Sequence, residues 1–148
     1  EYAIKDNLQE EMLRILLKRF IILCTRIARE KFSVSPEREK AFDMVRQFYV
    51  LVDNHFKEKK MVQDYADMLH RSPKTLSNLF TTCGLPSPLR IIHERIEAEA
   101  KRLLLYSQKS AKEITEILGF EDQATFSRFF KKMTGESVSE YRKREKQE

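Results

Sequence analysis

The sequence predicts an all-α protein: two helix-turn-helix subdomains joined by a long linker helix, with an extra helix at the amino end. Three observations lead there. No stretch carries the apolar-polar alternation of a strand. Helix-opening signals recur along the chain, with Ser-Pro pairs at Ser35-Pro36, Ser72-Pro73 and Ser87-Pro88. The second half also repeats its own pattern at an offset of 50 residues.

Each element has its own justification. Asn7 with Glu10 at the capping-box position opens a helix that runs to about Phe32. Its apolar residues, from Leu8 through Met12, Leu16, Phe20 and Leu23 to Ile27, cover more than one face, while Arg14, Lys18, Arg19, Arg26 and Arg29 keep part of the surface polar. A helix this apolar is covered on several sides, either as a core helix or as a dimer-forming helix next to an upstream domain; periodicity leaves both open. FSVSPE, from Phe32 to Glu37, reads as a boundary. Residues 1–34 are therefore expected to form a connecting and dimerising helix, and 35–148 the double helix-turn-helix domain. The second helix sets Phe42, Val45, Tyr49, Val52 and Phe56 in one stripe.

The repeat then begins. Ser72 and Asp122 are matching caps, and Leu76 pairs with Phe126, Leu79 with Phe129, Phe80 with Phe130, Ser87 with Ser137, and Ile91 with Tyr141. Each copy is a short helix, a tight turn, a second helix and a capped third helix: VQDYADML, HRS, PKTLSNLFTTC in the first, AKEITEIL, GFED, QATFSRFFKKM in the second. Ser110 with Glu113 and Ser137 with Glu140 form capping boxes, and Gly84, Gly119 and Gly135 stand where helices stop. An α-solenoid would need three or more such units to bury its faces.

At about 100° per residue, the second helix of each copy turns one side inward. Leu76, Leu79 and Phe80 face the core in the first, leaving Lys74, Asn78 and Thr81 outward with Ser77 on the flank. Phe126, Phe129 and Phe130 face the core in the second, leaving Ala124, Arg128 and Lys131 outward, Ser127 on the flank and Gln123 at the amino end. Neither helix contains an acidic residue, whereas the preceding helices carry Asp64, Asp67, Glu113 and Glu116. One such face is ordinary solvated surface; two at matching positions suit the negative, hydrogen-bonding floor of a DNA major groove.

Val62 to Arg144 resembles the DNA-binding domain of the AraC/XylS family of bacterial transcription regulators. The resemblance rests on YADML, SPKTLSNLF, Ser87-Pro88, RIEAEAKRLL from Arg95 to Leu104, EITEILGFEDQATFSRFFKKMTG and Tyr141-Arg142. It extends back through Phe42 to Phe56. Ile91 stands where the family usually has Tyr, Val138 replaces a Pro, and Ala124 replaces a common Ser, so base preference at Ala124 is open. The resemblance implies two recognition helices entering successive major grooves of double-stranded DNA. The expected DNA-binding residues are Lys74, Ser77, Asn78, Thr81, Gln123, Ala124, Ser127 and Arg128, of which Arg128 matches the family's base-contacting arginine, with Lys131 and Lys132 climbing toward phosphate. The linker from Pro88 to Leu105 has no helix breaker and carries Ile92, Ile96, Ala100 and Leu103 in a stripe. Its length of about 27 Å is short of the ~34 Å between adjacent grooves, which implies DNA bent toward the protein.

Composition excludes much else. Three glycines and two cysteines among 148 residues leave no phosphate-cradling loop, four-thiolate zinc site or disulfide framework. HERIE at His93 to Glu97 is not the HExxH zinc motif, and two ligands without a third make a poor site, so His93 is expected to be exposed or capping. The family's DNA-repair enzymes carry a multi-cysteine zinc domain that these cysteines could not build. Neither an enzyme nor a cofactor is expected. Net charge is +5 and the pI about 9.2, a mild lean toward acidic partners spread over the whole chain.

The basic tail at Arg142, Lys143, Arg144 and Lys146 is interrupted by Glu145 and makes a poor membrane anchor. Apolar runs such as Phe20 to Cys24 are too short to span a bilayer, no signal peptide is visible, and a reducing cytoplasm is the simplest home. A chain opening at Glu1 is expected to be part of something longer. In the family that part is a β-barrel sensor, whose effector this sequence does not reveal. A homodimer through Leu8–Ile27 and RNA polymerase are the further expected partners. A helical protein-protein interaction module without DNA binding is the rival reading.

Overall fold

The computed structural model describes the backbone of residues 7–31 and 35–144, and within the first stretch the side chains of 12–27. The Asn7 capping box, the Leu8 and Arg29 side chains, residues 32–34 of the expected boundary, and Glu145 and Lys146 of the tail lie outside the described residues. Eight helices form among those described, and no strand: α1 (Asn7–Lys31), α2 (Pro36–His55), α3 (Val62–Met68), α4 (Pro73–Thr82), α5 (Pro88–Tyr106), α6 (Ala111–Ile117), α7 (Gln123–Thr134) and α8 (Val138–Arg144). The chain separates into two compact units, Glu1–Glu39 and Lys40–Glu148.

Side chains that accept orphan amide protons open the helices. Ser72 accepts from the Thr75 amide at 3.0 Å and Asp122 from the Thr125 amide at 2.7 Å. Ser110 and Glu113 close a reciprocal box, as do Ser137 and Glu140. The Ser110 amide and hydroxyl hold the Glu113 carboxyl below the usual carboxylate range, and the Ser137 hydroxyl and amide do the same for Glu140.

In the first unit α1 keeps its apolar side chains in solvent: Met12, Leu13, Ile15, Leu16, Leu17, Phe20, Ile21, Ile22, Leu23 and Ile27 are all 48–67% exposed. No described residue of that unit supplies the cover that a core helix would have.

In the second unit α5 is the spine. Ile91, Ile92, Ile96, Ala100, Leu103 and Leu104 are buried along it, a broader stripe than the sequence pattern indicated. α3 and α4 pack on it from one copy of the repeat, and α6, α7 and α8 from the other. The first subdomain closes on Phe48, Tyr65 and Phe80, with Phe48 edge-on to both partners at 5.5 and 5.0 Å. The second closes on Phe120, Phe126, Phe130 and Tyr141. Arg95 of α5 lies over the Phe56 ring at 4.1 Å and pairs with Asp53 at 2.7 Å, tying α5 to the end of α2.

The repeat is real, with one displacement. From the caps onward the offset is 50, but α3 and α6 are offset by 49, because the second turn has one more residue. The α2 stripe needs correction: Val45, Val52 and Phe56 are buried, but Phe42 is 52% and Tyr49 39% exposed, while Phe48 is fully buried. Phe42 and Tyr49 lie on one flank of the stripe and Phe48 on the other; Tyr65 and Phe80 pack closest on the Phe48 flank, at 5.5 and 5.0 Å, while Phe80 reaches Tyr49 at 6.4 Å. Phe48→Ala should therefore cost about 3–5 kcal/mol of stability, and Phe42→Ala less than about 0.5 kcal/mol. Urea denaturation of both variants checks this; comparable losses would restore the symmetric stripe.

Candidate nucleic-acid interface

The outward faces of α4 and α7 form where the sequence places them. Lys74, Ser77, Asn78 and Thr81 are exposed on α4, and Leu76 and Phe80 are buried behind them. The Thr81 hydroxyl donates to the Ser77 carbonyl at 3.0 Å. On α7, Gln123, Ala124, Arg128, Lys131 and Lys132 are exposed, with Phe126 and Phe130 buried behind them. Ser127 is half-buried, and so are the flanking apolar residues Leu79 and Phe129. Both helices are free of acidic residues in their first turns, and α7 ends on Lys131 and Lys132, placed well against the negative end of the helix dipole.

Arg128 is held through Thr125, a link that the sequence reading missed. Its Nη2 donates to the Thr125 hydroxyl at 3.1 Å, and that hydroxyl donates to Asp122 Oδ2 at 3.0 Å. The Thr125 amide and hydroxyl, with smaller help from the Ala124 amide and the Arg128 charge, hold the Asp122 carboxyl below its usual range. The cap that starts α7 thus also orients the arginine two turns on. The signal in the sequence is the spacing Asp122, Thr125, Arg128, which stacks the three along one helix edge.

His93 is neither exposed nor capping. It is half-buried on α5, edge-on to Phe129 with ring centroids 5.3 Å apart, because the α5 face that carries it turns toward α7. Among the described residues no three His, Cys, Asp or Glu side chains are grouped to hold a metal ion. Cys83 is a free thiol packed against the core.

A family profile described as a helix-turn-helix domain matches residues 65–144. A transcriptional regulator of helix-turn-helix type from Bacillus subtilis, YisR, is 30% identical over 122 residues, which are 82% of this chain and 41% of that protein. The chain belongs to the AraC/XylS family of transcription regulators. The arabinose operon regulatory protein of Salmonella typhimurium is 36% identical over 92 residues, covering 62% of the chain and 31% of that relative. The chain thus spans less than half the length of either. Among solved structures, the C-terminal domain of AraT, a response regulator from Geobacillus stearothermophilus, shares the fold with a TM-score of 0.62 at 28% identity, over 74% of this chain and 86% of that one. The helix-turn-helix half is accordingly an AraC/XylS-type DNA-binding domain. No helix among the described residues is long and apolar enough to cross a membrane.

Burial, and next the Lys132 charge, pull the His93 pKa below its usual value. A histidine depressed in the folded state binds its proton more readily in the unfolded chain, so the neutral form's contribution is complete above the unfolded value of 6.5 and is lost as pH falls below it. The melting temperature should therefore drop between pH 7.5 and 5.5 in the wild type, and less so in His93→Gln. Thermal melts across that range check it; parallel pH curves would deny His93 this part.

Proposed function

We propose that one protomer reads two successive major grooves with α4 and α7, as the DNA-binding part of a cytoplasmic bacterial transcription regulator. The observation that carries this is the pair of acid-free faces, at matching repeat positions, on two helices packed against one spine. Lys74, Ser77, Asn78 and Thr81 of α4 and Gln123, Ala124, Ser127 and Arg128 of α7 face base edges; Lys131 and Lys132 meet phosphates. The two faces are chemically unlike, so a protomer reads an asymmetric site, two different elements about one helical turn apart. The DNA bends toward the protein to meet a spine of 19 residues, about 28 Å. RNA polymerase is a further partner of the DNA-bound regulator, and effector sensing belongs to an upstream domain.

Within α7, readout and positioning separate. The planar guanidinium of Arg128 can give two hydrogen bonds to the N7 and O6 edge of guanine, and the Thr125 bond presents it from the outward face. Arg128→Ala should lose about 1–3 kcal/mol on the selected site and relax choice at one base pair. Lys132→Ala should weaken all sequences alike and lower the salt slope by about one counterion. Binding to the selected and a scrambled duplex at two salt concentrations tests both; equal loss on both duplexes for Arg128→Ala would remove it as a base reader. Salt-insensitive or absent DNA binding would instead favour the interaction-module reading.

α1 supports a homodimer through Leu8–Ile27, because its described apolar side chains stand in solvent over the whole span 12–27. A seam of that kind is dimeric at micromolar concentration, and Leu16→Glu buries a charge in it and should give monomers. Light scattering that finds monomers for both proteins would refute the seam.

A further inference from the structure

The two helix-turn-helix units touch at a point away from the spine. Lys60, in the loop after α2, donates from its half-buried ammonium to the Lys57 carbonyl at 2.6 Å and to the Gly119 carbonyl at 2.7 Å. The same ammonium stands 5.0 Å from the centre of the Phe120 ring. Gly119 opens the turn between α6 and α7, so Lys60 joins the loop before the first helix-turn-helix subdomain to the turn of the second subdomain. Burial holds the Lys60 pKa below the usual lysine value, as expected of an ammonium taken partly out of water.

Gly119 shows what the contact requires. Its φ is +66°, but His70 takes +53° at the equivalent place in the first turn, so the turn itself accepts a side chain. A Cβ on Gly119 would overlap the Lys57 carbonyl oxygen and stand 3.1 Å from Lys60 Nζ; one on Gly84 or Gly135 would meet nothing within 4 Å. The missing side chain at Gly119 therefore serves the close approach of the two units.

We propose that Lys60 is a positioning residue for DNA recognition: by clamping the Lys57 and Gly119 carbonyls together it fixes the orientation of α7 relative to α4, and so sets the one spacing of half-elements that the protein accepts. The proposal rests on the two-groove reading above. Packing on α5 leaves the orientation of the second subdomain to its contacts with that one helix. A tie away from α5 adds a second point of attachment.

The test uses the full chain and three duplexes: the selected site, and versions with one base pair inserted or deleted between its two elements. Each change shifts one element by about 3.4 Å and turns it by about a tenth of a turn. Wild type should prefer the selected spacing by about tenfold or more. Lys60→Met, which keeps the stem and loses both hydrogen bonds, should cut that preference to about threefold or less. Lys60→Arg, which keeps donors for both carbonyls, should restore most of it. Gly119→Asn tolerates the turn but forces the units apart, and should relax spacing as Lys60→Met does. The preference is a ratio of affinities for one protein preparation, so a reduced folded fraction cancels from it. Unchanged preference in both Lys60→Met and Gly119→Asn overturns the clamp while leaving two-groove reading intact. A wild type indifferent to spacing overturns the two-groove reading, and the clamp with it.

Discussion

Burial of one face of α5 is the constraint on which the rest depends. Ile92, Ile96 and Ala100 are almost fully enclosed, with Ile91, Leu103 and Leu104 at the margins. A 19-residue helix is not stable alone in water at this composition; its apolar face must be covered. Each half of the repeat supplies part of that cover, and neither copy has a comparable core without it. The same packing therefore folds the domain and puts two reading helices on one body. The aromatic clusters at Phe48 and at Phe126 fill what the spine leaves open.

Polar chemistry then decides which surface is left for a partner. Three acidic side chains of the repeat, Glu113, Asp122 and Glu140, stand at helix starts and accept amide protons. Acidic side chains are absent from the outward faces of α4 and α7. Asp122 does both jobs at once, capping α7 and, through Thr125, orienting Arg128. A domain that keeps carboxylates off these two faces presents donors and cations to a polyanion without a large net charge, which matches a chain whose net charge is only +5.

Much of this was legible in the sequence because its signals are local. Ser-Pro pairs and capping boxes depend on residues three apart, and the repeat shows itself through caps and core positions together. What was not legible depends on neighbours distant in the chain. Phe42 and Phe48 look alike on a helical wheel; only the position of Phe80 and Tyr65 tells them apart. His93 looked like surface because its partner, Phe129, lies 36 residues away. The need for glycine at position 119 comes from a carbonyl 62 residues earlier. The slip from 49 to 50 was hidden because insertion of one residue in a turn leaves each helix pattern unchanged. For α1 the sequence showed an apolar surface that periodicity assigns equally to a core or a seam, and the structure leaves its described apolar side chains exposed.

The central claim is that one protomer engages two grooves from one face of the duplex. Hydroxyl-radical footprinting on a duplex selected from a random pool tests it most directly. Each bound protomer should protect two backbone patches on the same face, about 10 base pairs apart, covering two unlike sequence elements. A single protected patch per protomer, or two patches of identical sequence in inverted order read by one helix each, would contradict it.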